Sequence, residues 1–178
     1  MTLDIALQDE IIHMTVFNRL RDYPHVLEVA YQFTERIFQA MYPLFKGLGY
    51  ERADKLLRVP EKIGKCAVFN CQMCGQCELH FTGMTCPMGC PKNLRNGPCG
   101  GVRVGGFCEV DATMKCVWVE AFERSQKMSF YGDDFFMILP PLNQQNMNKS
   151  AFINIAFEKN AEMPEAWKME TGLRHEHK

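Results

Sequence analysis

The chemistry of this chain is concentrated in its cysteines. All nine lie between Cys66 and Cys116, and the other two-thirds of the sequence has none. An odd number of thiols cannot pair completely within one chain, and reducing compartments keep thiols free, so disulfides explain the pattern poorly. Cysteines that merely fill a hydrophobic core would not gather in one segment. The clustering therefore predicts a metal-binding region.

The tightest group consists of Cys71, Cys74 and Cys77, at C-x2-C-x2-C spacing. Three thiolates at this spacing in a loop can converge on one iron–sulfur cluster. A zinc site usually takes one C-x2-C pair from each half, so the third cysteine favours iron–sulfur. Cys86 and Cys90 are each followed by proline, as is the last ligand of the bacterial ferredoxin run. The ferredoxin spacing is not fully met, because eight residues separate Cys77 from Cys86.

The remaining count suits two sites of four thiolates each. The candidate metal ligands are Cys71, Cys74, Cys77, Cys86, Cys90, Cys99, Cys108 and Cys116. Two [4Fe–4S] clusters are the favoured content, and the alternatives are one cluster with a four-thiolate zinc site, or zinc alone. Spacing places Cys71, Cys74 and Cys77 at one centre and leaves open which later cysteine joins them. Cys66 is the spare, and His80 is a weaker candidate ligand.

The loops around the later cysteines are rich in glycine. The segment 96–101 surrounds Cys99 with residues that tolerate unusual backbone angles and leave N–H groups free to point at sulfur. The segment 101–110 predicts two short strands joined by a Gly-Gly turn, which would present Cys108 toward Cys99. Asp111 is predicted to cap a helix that carries Cys116 in its first turns.

Charged residues are interspersed among the cysteines. The cationic ones are Lys92, Arg95, Arg103 and Lys115. Such charges can tune the potential of a cluster or contact a partner. For any single one of them, the favoured interpretation is a solvated loop residue.

The first sixty residues have a helical pattern. Apolar residues recur at spacings of three and four at Val26, Ala30, Phe33, Ile37, Met41 and Leu44. Pro24 suits a first helical turn, and Pro43 with the following glycines is predicted to end the helix. A short helix over 52–57 is predicted to follow, before Pro60.

Three segments follow from these patterns. They are an N-terminal helical segment over 1–63, a cysteine-rich metal-binding domain over 64–127, and a C-terminal arm over 128–178. The expected fold is α-helical and irregular: N-terminal helices, a small metal-stabilised core with a short β-hairpin, and an extended C-terminal arm with aromatic residues, which lies on another surface or covers the protein's own core.

Composition excludes several classes of function. The formal net charge is −1, so the chain lacks the basic surface of a nucleic-acid-binding protein. The N-terminus lacks the basic and apolar regions of a secretion signal, and the apolar run 135–139 is far shorter than the roughly 20 residues that cross a bilayer. We therefore expect a cytoplasmic protein without a membrane span. No nucleophile with a base is evident, so the chain is not expected to be catalytic alone.

The cysteine-rich segment resembles a known family. The resemblance is carried by C-x2-C-x2-C, Thr85-Cys86-Pro87, Cys90-Pro91-Lys92, Leu94-Arg95-Asn96-Gly97-Pro98-Cys99-Gly100-Gly101, Cys108-Glu109-Val110 and Cys116-Val117-Trp118-Val119. These elements are similar to the cysteine-rich C-terminal domain of methylenetetrahydrofolate reductases. The resemblance implies iron–sulfur clusters, or zinc in some members, held by the eight candidate cysteines. It also implies a domain fused to, or lying beside, a flavin-dependent reductase.

This chain is not expected to be the reductase itself. A (β/α)8 barrel needs about 250 residues and a regular βα alternation, and the sequence has neither. The resemblance therefore implies an accessory subunit that passes electrons to a flavin-dependent methylenetetrahydrofolate reductase-type partner in one-carbon metabolism. The alternative is a structural subunit, stabilised by zinc or a cluster, that transfers no electrons.

Overall fold

The computed structural model describes residues 20–159, and the predictions that concern 1–19 and 160–178 lie outside that range. Four α-helices lie wholly within it: α1 (Pro24–Leu48), α2 (Tyr50–Phe69), α3 (Val117–Ser125) and α4 (Ala151–Ala156). Single 3-10 turns occur at Pro87–Gly89, Gly132–Phe136 and Gln144–Asn146. The described part of the chain is thus mainly helical around a cysteine-rich segment of loops.

The two long helices are longer than predicted. Pro24 begins α1 as expected, but α1 continues through Pro43 and α2 continues through Pro60. The prediction that Pro43 and Pro60 mark helix ends was wrong, but α1 does end at the predicted glycines, since Gly49 caps it. A proline inside a helix removes a hydrogen bond, but tertiary packing supplies most helical stability in a folded protein. Phe45, two residues after Pro43, is buried, so the end of α1 is held by the core.

Helices α1, α2 and α4 pack against one another. Their shared core contains Phe45 from α1, Ala53 from α2 and Ile153 from α4. The rings of Phe38 and Phe152 stack with centroids 4.1 Å apart, which adds a second contact between α1 and α4. The segment before residue 60 and the segment after residue 150 therefore meet in one core.

The predicted apolar stripe of α1 does lie on a helix, but it points outward. Val26, Phe33 and Leu44 are each more than half exposed, and Ile37 and Met41 are also exposed. The buried positions of α1 are instead Pro24, Leu27, Glu28 and Phe45. The stripe therefore forms an apolar surface that no other described residue covers.

A buried carboxylate joins α1 to the segment that follows α3. Glu28 is fully buried, and its Oε1 accepts hydrogen bonds from the backbone N–H groups of Phe130 and Tyr131, at 2.7 Å each. Its Oε2 accepts from Ser129 N at 3.0 Å. Burial alone would raise the pKa of this carboxyl, but these donors and His25 hold it below its usual value. Glu28 is thus an ionised anchor for a turn about one hundred residues away in sequence.

No β-strand forms within residues 20–159, so the predicted hairpin over 101–110 is wrong. Arg103 N does donate to Phe107 O at 2.8 Å around the glycine turn. Beyond it, however, Cys108 N bonds to Met114 O at 3.0 Å. The second half of the expected hairpin therefore pairs forward along the chain, where Phe107 and Lys115 form an isolated antiparallel bridge.

The helix predicted to start at Asp111 begins later. The Asp111 carboxylate accepts from the backbone and hydroxyl of Thr113, in a local turn. α3 starts at Val117, so Cys116 precedes the helix and does not lie in its first turns. The side chain of Asp111 satisfies its own turn and is not available to cap α3.

Each helix within residues 20–159 is too short or too polar to cross a membrane.

Candidate metal centre

Four cysteines line one cavity in the interior of the molecule. These are Cys71, Cys74, Cys77 and Cys86, and we call this cavity the inner site. The empty space among the lining residues, part of it open to solvent, amounts to about 400 Å³. Lys65 and Arg95 contribute to its wall. Cys86 thus lines the same cavity as the predicted triple, and the spacing had left open which later cysteine would do so.

The other four candidate ligands line a second cavity. Cys90, Cys99, Cys108 and Cys116 line this cavity, which we call the outer site and which holds about 330 Å³ of empty space, part of it open to solvent. The eight cysteines thus divide into two sets of four that follow sequence order. Within residues 20–159, no group of three or more cysteine, histidine or acidic side chains converges in a way that could hold a metal ion.

The inner-site sulfurs receive hydrogen bonds from the protein. Met73 N donates to Cys71 Sγ at 3.3 Å, and Arg95 Nη1 donates to Cys74 Sγ at 3.3 Å. Burial raises the pKa of Cys71 to about 12 and that of Cys86 to about 11. Without metal, these thiols therefore keep their protons at neutral pH. Binding of a metal centre would release those protons.

The C-terminal segment holds the inner-site loop in place. Asn148 N donates to Met73 O, and Asn154 Nδ2 donates to Gly75 O, at 2.8 Å each. Gly75 has φ 72°, and a Cβ atom there would overlap the carbonyl of Asn146. Glycine is therefore required at this position both for its backbone angle and for the close approach.

The outer site is built mainly by backbone pairing near its cysteines. Cys108 N bonds to Met114 O, and Cys116 N bonds to Gly106 O at 2.7 Å. Trp118 Nε1 donates to Leu94 O at 3.1 Å, which fixes the loop between Cys90 and Cys99 against α3. Little regular structure supports this region, because a single bridge is its only ladder contact among the described residues.

Cys99 is the exposed cysteine of the set. Gly101 N donates to its sulfur at 3.4 Å, as expected of a glycine-rich loop around a ligand. The Glu109 carboxylate lies 3.4 Å from the same sulfur and pairs with Lys92. The outer site is therefore closer to solvent and to exposed charges than the inner site, whose Cys74 is buried.

The two doubtful candidates do not line either cavity. Cys66 lies in α2, and its thiol donates to the carbonyl of Cys71 at 3.1 Å. His80 stacks on Tyr31 and contacts the rings of Phe81 and Tyr131. Both residues are outside the lining of the two four-cysteine cavities. Cys66 therefore supports the inner-site loop, and His80 belongs to an aromatic cluster.

We expect His80 to make the fold sensitive to acid. Burial lowers the pKa of His80 to about 4, and its Nδ1 has no hydrogen-bond partner among the described residues. Below about pH 6.5, His80 is protonated in the unfolded chain but stays neutral in the folded chain. The free energy of unfolding therefore falls by roughly 3 kcal/mol as the pH approaches 4. Urea unfolding of wild type and His80→Phe at several pH values checks this. The variant should show a shallower decline, and parallel curves would contradict the assignment.

Two buried cations near the inner site were missed or misjudged from sequence. Lys65 was not singled out, yet it is buried, with its ammonium 2.6 Å from Glu61. Arg95 was predicted to be a solvated loop residue, and this prediction was wrong. Its side chain is only 7% exposed and pairs with the buried carboxylate of Glu78. The Glu61–Lys65 spacing of four residues in a helix was the available signal for the first pair. No sequence pattern indicated the second.

The comparisons with known proteins give one result. A family model described as the C terminal of methylene-tetrahydrofolate reductase matches residues 50–145, more than half of the chain. No curated protein and no solved structure matched. The matched range includes α2, α3 and all eight cysteines of the inner and outer sites. The chain therefore belongs to the methylenetetrahydrofolate reductase C-terminal family.

Proposed function

We propose that this chain is an iron–sulfur subunit that passes electrons to a flavin-dependent methylenetetrahydrofolate reductase-type partner. The observation that carries the proposal is the division of eight cysteines into two cavities lined by four each. Four thiolates are the ligand set of one [4Fe–4S] cluster, so the chain has the ligands for two. Family membership supports a partner of the methylenetetrahydrofolate reductase type.

The residue types that line the two cavities are those that hold clusters, and the four sulfurs of each set would have to converge further to bind one. Each site offers four sulfurs around a cavity, and in the inner site the sulfurs accept hydrogen bonds from a backbone amide and a guanidinium. Such donors offset the negative charge that a cluster with four thiolates carries. When bound, the clusters would supply one-electron transfer. The chain's own residues would hold them, exclude water at the inner site and leave an exposed edge near Cys99.

The arrangement also suits contact with a partner. Electrons would enter or leave at the outer site, where Cys99 is exposed, because the rate of electron transfer falls as the distance between the cluster and the partner's flavin increases. The apolar stripe of α1 lies outside the matched range 50–145 and is uncovered by the described residues. An exposed apolar patch commonly marks a protein interface. We assign this stripe to the reductase-type partner.

Metal and redox analysis tests the proposal directly. We expect anaerobically purified protein to contain about eight irons and a similar amount of acid-labile sulfide per chain. Its broad absorbance near roughly 400 nm should bleach with dithionite. A colourless protein that holds only zinc, and that fails to take up clusters from iron and sulfide, would rule the electron carrier out.

A structural role is the second candidate, and one observation favours it. The loops between Cys90 and Cys116 contain little regular structure of their own, so a metal centre there would stabilise them. In this case the metal would not change its oxidation state with the partner's flavin. Mixing the dithionite-reduced protein with an oxidised flavin-dependent reductase separates the two functions, since only the electron carrier would be reoxidised as the flavin is reduced.

A further inference from the structure

Arg95 makes an unusual set of contacts. Its Nη1 donates to Cys74 Sγ at 3.3 Å, and its Nη2 donates to Gln76 O at 3.0 Å. The same guanidinium pairs with the carboxylate of Glu78. One buried side chain therefore contacts a cysteine sulfur, the backbone of the inner-site loop and an acidic neighbour.

The origin of Arg95 in the chain matters as much as its contacts. It lies between Cys90 and Cys99, in a loop that supplies two cysteines to the outer site. The neighbouring Leu94 carbonyl is fixed to Trp118 of α3. The side chain nevertheless lines the inner cavity. A single residue of the outer-site loop thus reaches the inner site.

We propose that Arg95 is a positioning residue that raises the reduction potential of the inner site through its hydrogen bond and positive charge at Cys74. This inference rests on the proposed function, because it requires an iron–sulfur cluster in the inner site. Reduction adds a negative charge to a cluster, and a buried cation at a ligand sulfur stabilises that charge. Hydrogen bonds to cluster sulfurs act in the same direction.

The location of Glu78 makes the inference sharper. Burial raises the pKa of Glu78 to about 7, so the potentials are measured above that pH, where its carboxylate is ionised and opposes the effect of Arg95 at the same site. Removing the cation and removing the anion should therefore shift the inner potential in opposite directions. A structural disturbance without an electrostatic cause would have no reason to reverse its sign.

A potentiometric titration monitored by electron paramagnetic resonance on the full chain tests this. In Arg95→Gln we expect one of the two reduction steps to move to lower potential while the other stays in place. Arg95→Lys should shift that step less, and Glu78→Gln should shift it upward. Arg103→Gln is the matched control, because Arg103 is an exposed cation that contacts the Glu109 carbonyl and not the inner site.

The outcomes separate this inference from the proposed function. Arg95→Gln protein that keeps both clusters with unchanged potentials would overturn the role of Arg95 and leave the electron carrier intact. If Arg95→Gln fails to fold or to keep iron, Glu78→Gln decides, and an unchanged or lowered potential there overturns the inference. Wild-type protein that assembles no iron–sulfur cluster would overturn both.

Discussion

Replacing Cys74 with serine is expected to remove one cluster and leave the other. Cys74 lines the inner site and is buried, and the four outer-site cysteines line a different cavity and are not placed to replace it. A serine hydroxyl is a much poorer ligand for iron than a thiolate. We expect the iron content to fall from about eight to about four per chain. Iron analysis and electron paramagnetic resonance of the reduced protein measure the loss.

The same experiment at Cys108 tests the division of the cysteines. Cys108→Ser should lose a similar amount of iron but retain the resonance that Cys74→Ser loses, because Cys108 lines the outer site. Cys66→Ser is the control and should keep all the iron, since a hydroxyl can still donate to the Cys71 carbonyl. If Cys86→Ser behaved like Cys108→Ser, the four-and-four division would be wrong.

Glu28 should be among the most sensitive positions for stability. Glu28→Ala would leave three backbone N–H groups of residues 129–131 without their acceptor at a partly buried position. A buried donor without a partner costs about 1–3 kcal/mol, and at a partly buried position the lower end applies, so we expect a loss of about 3 kcal/mol in the free energy of unfolding. Urea unfolding gives this value from the midpoint and slope.

Two further variants show whether the carboxylate is the cause. Glu28→Gln keeps the shape but places an amide N–H₂ toward one of the donors, so it should destabilise the fold by less than alanine does. Glu51→Ala, at an exposed position in the first turn of α2, should cost under about 1 kcal/mol. A Glu28→Ala midpoint close to that of Glu51→Ala would contradict the anchor role.

The sequence was informative where ligands lie close together along the chain. The spacing of Cys71, Cys74 and Cys77 predicts one shared centre, because a few residues of loop return each sulfur to the same side, and the three do line one cavity. The presence of Cys86 in that cavity could not be predicted in this way. It depends on how eight intervening residues turn, and that is decided by contacts such as the close approach of Gly83 to the backbone of Ala121 in α3.

The errors have a common physical origin. Pro43 does not end α1, because the burial of Phe45 outweighs the local tendency of proline to end a helix. The segment 101–110 has hairpin chemistry at its glycine turn, but Cys108 pairs with Met114 and not back across the turn. Nothing in the sequence around Arg95 indicates burial. Its buried side chain pairs with Glu78 and donates to Cys74 Sγ, and both partners are distant in sequence. Each case depends on a partner that is distant in sequence.

The hydrophobic core of this protein extends beyond the range that the family model matches. Leu27 of α1 packs with Leu79, Met84 and Met128, and Ile153 of α4 packs with Ala53. The family match covers 50–145 and so omits both helices. A fragment cut at those limits would lose one side of each cluster and the acceptor for the turn after α3. The matched range is thus smaller than the unit that packs together in this protein.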